Sequence, residues 1–137
     1  MKISNAKLKE AIKFHGHLGP YLVLGLLMGE LAINALKCKK HFGIKALVAG
    51  ATEKPKSCLI DGLQLSTGCT YGKGNIEKIK GQAIQVLFST LDNNKRIAIV
   101  LNKRLIQQLN KLKGHRDSEV FAKKLIECNC KKLFEIK

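Results

Sequence analysis

The residues best suited to chemistry fall in two segments. The first is Phe14-His15-Gly16-His17-Leu18-Gly19-Pro20, two histidines around a glycine ahead of an apolar run. A break of this kind frees side chains to enter a cleft, and imidazole is both a metal ligand and a proton carrier. The second runs from Cys58 to Asn75. On a helix Cys58 and Asp61 are three residues apart and share a face, while Cys69 falls just past Gly68, which lets the chain fold back. Cys58, Cys69 and a histidine would supply three protein ligands and leave a fourth position for water or substrate, as catalytic zinc sites do. A cysteine at a helix N-terminus also tends toward the thiolate. The same two thiols would alternatively serve as a reversible redox pair.

The glycine-rich stretch 67–75 is not a phosphate-binding P-loop. Such a loop needs four residues between its glycines and then Lys-Ser or Lys-Thr; here three residues separate Gly68 from Gly72, and Gly74 follows Lys73. Amides around Gly72 and Gly74 would still make an anion nest, with Lys73 adding charge. Cys38 reads as a small buried hydrophobe. Cys128 and Cys130 have no third Cys or His after them and read as residues of a terminal helix, and His41 and His115 carry no motif.

Composition narrows the function classes. The chain has 137 residues, a length that suits one domain over 1–137 with a sizeable core. Five cysteines, an odd number, without an export signal argue for reduced thiols and a cytoplasmic setting. The net charge is +15, with 13 basic and 6 acidic residues in 1–94 and 12 and 4 in 95–137, so no basic tail exists. Only Arg96, Arg104 and Arg116 are arginines. Base readout leans on the guanidinium fork, so sequence-specific nucleic-acid binding is not indicated, although anionic partners are attracted. A generic basic nucleic-acid-binding domain is the reading from another class, and it predicts binding that falls steeply with salt.

These residues need elements to hold them. Ser4 or Asn5 caps a first helix reaching about Phe14, and Pro20 opens a second that runs to about Lys37. That second helix is apolar nearly all round and must be buried on most sides. Residues 18–36 approach a membrane span with a GxxxG pair at Gly25 and Gly29, but Glu30 and Asn34 interrupt it, and the reading is a central core helix. A strand is expected over 45–52, a helix over 58–66, strands over 82–90 and 96–101, and a helix from Asn102 to about Leu112. Asp117 or Ser118 should cap the last helix. The fold class is α+β, a small mixed or antiparallel sheet packed with helices.

Taken together, the His15-Gly16-His17 segment, the Leu/Gly/Met-rich helix and Thr67-Gly68-Cys69-Thr70 continued by Gly72-Lys73-Gly74-Asn75 resemble the FmdE family of formylmethanofuran dehydrogenase proteins. The resemblance covers nearly the whole chain. It implies an α+β core that forms intertwined homodimers, with a metal site near the histidine and cysteine motifs. His15, His17, Cys58 and Cys69 become the expected ligands of a transition metal, zinc foremost, and Asp61, Gln64, Thr70 and Lys73 their neighbours. Lys73 would hold an anion such as a pterin phosphate or carboxylate. Relatives continue into a cysteine-rich zinc finger that is absent from this sequence, and some carry a cysteine where Gly19 stands. The implied role is a metal-binding accessory or cofactor-handling protein of molybdenum or tungsten one-carbon metabolism, partnered with the dehydrogenase. The alternative is a metal-dependent enzyme using the same residues.

Overall fold

A computed structural model describes residues 3–137. In chain order the elements are α1 (Asn5–His15), α2 (Pro20–Leu36), β1 (Ile44–Ala49), α3 (Cys58–Thr67), β2 (Ile76–Ile79), β3 (Gln85–Thr90), β4 (Arg96–Leu101), α4 (Lys103–Asn110), α5 (Gly114–Glu127), α6 (Cys130–Leu133) and β5 (Phe134–Ile136). The fold is α+β. Among the described residues five strands form one mixed sheet in the order β2-β1-β3-β4-β5, in which only the β1–β2 pair is parallel.

The inner face of the sheet follows from period-two burial. Ile76, Ala46, Phe88 and Ile97 lie in one row across four strands, and Val48, Val86 and Ile99 in the next. All seven are buried. Against this face packs α2, whose Leu22, Val23, Leu24 and Met28 are fully buried. Glu30, the residue that interrupts its apolar run, is paired with Lys7 at 3.2 Å and Lys40 at 3.1 Å. Burial opposes ionisation of Glu30, but the two ammonium groups outweigh it and hold its carboxyl below the usual value. At the other end the Lys95 ammonium donates to the Leu36 carbonyl at 3.1 Å and satisfies a helix-end acceptor. None of the helices among the described residues is long and apolar enough to cross a membrane.

Two glycines explain how α3 lies against α2. A Cβ placed on Gly25 would meet the Leu59 carbonyl and the Gly62 Cα, and one on Gly62 would meet the Leu22 carbonyl and the Gly25 Cα. The helices therefore cross backbone on backbone. Ser66, one turn further along α3, donates to the Gly25 carbonyl at 3.1 Å across the same seam.

Three expectations change. β2 is a strand that the sequence pattern does not announce, because Glu77 and Lys78 hide its period; only Ile76 is buried, as suits an edge strand. The last helix begins at Gly114, with neither Asp117 nor Ser118 as its cap; Asp117 sits in the first turn and accepts the Lys113 N–H at 3.3 Å. Cys128 and Cys130 do not share a terminal helix: α5 stops at Glu127, Cys130 opens the one-turn α6, and the chain ends as a strand on β4.

Candidate functional site

β1 and β2 are parallel neighbours, and parallel neighbours need a crossover. That crossover is α3. Cys58 opens it, beyond the carboxyl end of β1, and Cys69 follows its far end, back beside the start of β1. A ten-residue helix is about 15 Å long, so one chain cannot bring these two thiols to one metal or into a disulfide, which needs Cα atoms within about 7 Å. The expected ligands thus divide into two places.

At the Cys69 end the buried polar side-chain atoms are paired within the protein. The Cys69 thiol is fully buried and donates to the Ile44 carbonyl at 3.4 Å. Burial pushes its pKa up, outweighing the Thr67 hydroxyl and the Lys73 charge. The Lys73 ammonium donates to the Gly68 carbonyl at 2.6 Å and to Thr70 Oγ1 at 3.3 Å, and lies 5.4 Å from the centre of the Phe42 ring. These two contacts tie it to its own loop and leave one of its three N–H donors for another acceptor. Gln64 Oε1 accepts the Tyr71 N–H at 3.4 Å. Asn75, which sequence reasoning leaves without a role, fastens the loop: its Oδ1 accepts from Thr70 N at 2.9 Å and its Nδ2 donates to the His41 carbonyl at 2.7 Å. The available signal is its place at the end of the glycine motif, where an amide can bridge two chain segments.

At the Cys58 end the histidines gather. Gly16, at φ +108°, caps α1 in a conformation closed to side-chain-bearing residues and turns the chain between the two imidazoles. His15 Nδ1 lies 2.6 Å from Asp61 Oδ2. A carboxylate only accepts, so Nδ1 is the donor and the lone pair of the neutral ring is on Nε2. That Nε2 is buried and has no hydrogen-bond partner, and the His15 side chain is only 9% exposed. Its ring packs 4.7 Å from that of His17, and His17 stands 5.9 Å from His115.

His17, Cys58 and His115 also line one cavity of about 310 Å³, together with Tyr21, Pro55 and Ser118. A Cβ at position 19 would sit 3.2 Å from His17 Nε2, so the glycine here leaves that nitrogen open. The expected thiolate tendency of Cys58 is reversed. Burial and then the Asp61 carboxylate push its pKa up, and Lys54 opposes them only in part. His115 escapes sequence reasoning because Gly114 beside it marks a connector. The earlier start of α5 puts it in that helix's first turn.

Among the described residues no group of three or more His, Cys, Asp or Glu side chains stands where it could hold a metal ion. His15 stands out here, because a carboxylate fixes its ring while its Nε2 is buried without a partner. Beside it, His17 and Cys58 line the cavity.

The pKa of His17 is lowered, first by desolvation and then by its neighbours His15 and His115. In the metal-free protein its ring is expected to titrate with a midpoint below about 6.5, the ordinary histidine value. A lowered histidine favours the neutral folded form, so its contribution to stability is lost as pH falls below the unfolded-state value. Proton NMR of the imidazole checks this. A midpoint at or above the ordinary value would mean the three rings do not share a site.

Comparisons with known proteins bear on the fold and the family. The fold matches a tungsten formylmethanofuran dehydrogenase FmdE-like protein from Syntrophus aciditrophicus with a TM-score of 0.68 at 20% identity, covering 98% of this chain and 71% of that one. A protein of Archaeoglobus fulgidus named "Probable S-adenosyl-L-methionine-binding protein" is 33% identical over 75 residues. That match takes in 50% of this chain and only 19% of the length of that protein. The profile of the family described as "FmdE, Molybdenum formylmethanofuran dehydrogenase operon" matches residues 14–136, which takes in both motifs and all five strands, and the chain belongs to that family.

Proposed function

We propose that this chain is a metal-binding accessory component of formylmethanofuran dehydrogenase metabolism, handling a metal or cofactor for the molybdenum or tungsten enzyme. The observation that carries this is the His15–Asp61 dyad: a 2.6 Å contact on Nδ1 and a buried, partnerless Nε2. An orphaned buried nitrogen costs about 1–3 kcal/mol, and such a group in a folded protein points to a function that uses it. His15, His17 and Cys58 are the donors in this proposal, with Asp61 fixing the His15 ring; Cys69 is not among them. Zinc bound there would supply Lewis acidity. The same dyad also favours a second reading, an enzyme in which His15 Nε2 takes a proton from a bound substrate.

Partners belong to the proposal as well. Family membership supports association with dehydrogenase subunits. The outer face of the sheet leaves Ile79 43% and Leu87 37% exposed, apolar area that a homodimer would cover. The charge of +15 suits an anionic ligand such as a pterin phosphate or carboxylate. S-adenosylmethionine, named for the Archaeoglobus protein, is not carried over, since the match spans so little of that protein.

Elemental mass spectrometry of anaerobically prepared protein tests the metal reading. About one transition metal per chain is expected, lost in the His17→Ala/Cys58→Ser double variant and kept in Cys69→Ser. Protein prepared without chelator that carries no metal, and takes up none when zinc is added, would end the proposal.

A further inference from the structure

The lysines that line cavities of this fold are not all alike. Lys7 and Lys40 share one cavity and are both paired with Glu30. Lys54, Lys56 and Lys80 line another, of about 460 Å³. Among the described residues none of these three ammonium groups is hydrogen-bonded or ion-paired. Glu53 shares their wall, so three ammonium groups meet one carboxylate, and the surplus charge attracts an anion. The topology explains why they converge. β1 and β2 run parallel and end side by side, with Gly50 following one and Lys80 and Gly81 the other. The Gly50 N–H continues the pairing by donating to the Ile79 carbonyl at 3.2 Å. A Cβ on Gly81 would lie 3.2 Å from Gly50 N, so glycine lets the two strand ends close and leaves backbone as the floor of the cleft. The carboxyl ends of parallel strands are where open α/β sheets take their ligands.

We infer that the cleft of Lys54, Lys56 and Lys80 binds the phosphate group of a small organic phosphate, whose body reaches across Pro55 into the cavity of His17 and His115. Pro55 lines that neighbouring cavity, while Lys54 and Lys56 on either side of it line this one, so the loop is a wall common to both. The Lys54 charge is felt at the Cys58 thiol, whose pKa it lowers against burial and Asp61. Beyond Pro55 the neighbouring cavity offers Tyr21, Leu109 and Leu112, apolar surface suited to the uncharged part of such a ligand. Phosphate is favoured over carboxylate because several separate point charges match a dianion with several oxygens. Thr52 lines the cleft as well and brings a hydroxyl. The start of α3 is not the donor, since the Leu59 and Ile60 amides already donate to the Lys56 and Ser57 carbonyls. The inference deepens the reading above by giving its anionic ligand a place. It rests on that reading for the part of the ligand that meets His17, and it requires no metal.

NMR titration of the isotope-labelled, metal-free chain with phenyl phosphate tests this, at a slightly alkaline pH where the phosphate is a dianion. Saturable shifts are expected at the amides of Gly50, Thr52 and Gly81 and at the His17 ring. Inorganic phosphate should move the same amides and leave the ring still. Lys54→Ala/Lys80→Ala changes two exposed residues whose ammonium groups hold no bond, and should weaken phenyl phosphate roughly tenfold. Lys9→Ala/Lys124→Ala removes as much charge from exposed positions elsewhere and should stay close to wild type. Equal weakening by the two pairs, or shifts that never saturate, would overturn the inference, because the general charge of the chain would then be the attractant. Amide shifts with phenyl phosphate that leave the His17 ring unmoved would overturn the bridging of the two cavities. A short oligothymidylate should not centre on this cleft; if Lys54→Ala/Lys80→Ala abolished its binding too, the cleft would belong to nucleic acid and the small-molecule assignment would fall. Every arm is free of metal, so failure here leaves the metal reading standing, and failure of the metal analysis leaves the cleft standing.

Discussion

Alanine in place of Gly62 is expected to cost the fold about 3 kcal/mol or more, although alanine is the better helix former by about 1 kcal/mol. Propensity and packing give opposite signs here, and packing wins. The added methyl would meet the Leu22 carbonyl, the Leu26 N and the Gly25 Cα, all of them backbone atoms of a buried helix. Side chains yield to overpacking by changing rotamer; helix backbone cannot. Relief would require α2 and α3 to move apart, and Leu22, Leu59 and Leu63, all fully buried along that seam, would lose contact together. Gly25→Ala should behave alike, since its methyl strikes the Leu59 carbonyl. For a domain of this size a loss of about 3 kcal/mol lowers the melting temperature by roughly 10 °C or more. A thermal scan in which Gly62→Ala melts at or above wild type would show that the helices are not in backbone contact.

That seam shows what the sequence discloses and what it withholds. Gly25 is one of a GxxxG pair and reads as a place of close approach, but the chain that approaches, α3 at Gly62, is 37 residues away and nothing local names it. Elements with strong period or caps are legible: Ser4 and Asn102 both accept the N–H that a capping side chain should. Burial on both sides makes α2 conspicuous. β2 is not legible, because an edge strand with one buried residue has no alternation to detect.

The site is legible by residue and not by grouping. His15, His17, Cys58 and Asp61 do come together at one end of α3. Cys69 belongs to the same motif as Cys58 but not to the same place, because β2 makes α3 a crossover and puts its two ends at opposite ends of the strands. Without β2 in view, Cys69 cannot be placed. His115 is hidden for a similar reason. Its relation to His17 spans almost a hundred residues and depends on α5 packing against α2.

The larger functional effect is expected at Asp61. Asp61→Ala should lower zinc affinity about 10–100-fold, the range found when the partner that orients a ligating histidine is removed. Asp61 is 35% exposed, so the fold should tolerate the change, and the effect falls on His15. With the carboxylate present the proton is held on Nδ1 and the lone pair on Nε2. Without it the two tautomers become comparable, the ring can turn, and the lone pair is no longer fixed on Nε2. A purely structural ion pair would also lose something in this variant, so affinity alone does not decide. The tautomer does, read from the His15 ring nitrogen shifts in the metal-free protein. Wild type should be the Nδ1–H form and Asp61→Ala a mixture. Asp61→Asn, whose Oδ1 still accepts, should restore the Nδ1–H form and most of the affinity. If Asp61→Ala retains both the single tautomer and wild-type affinity, Asp61 does not orient His15, and the orphaned nitrogen needs another explanation.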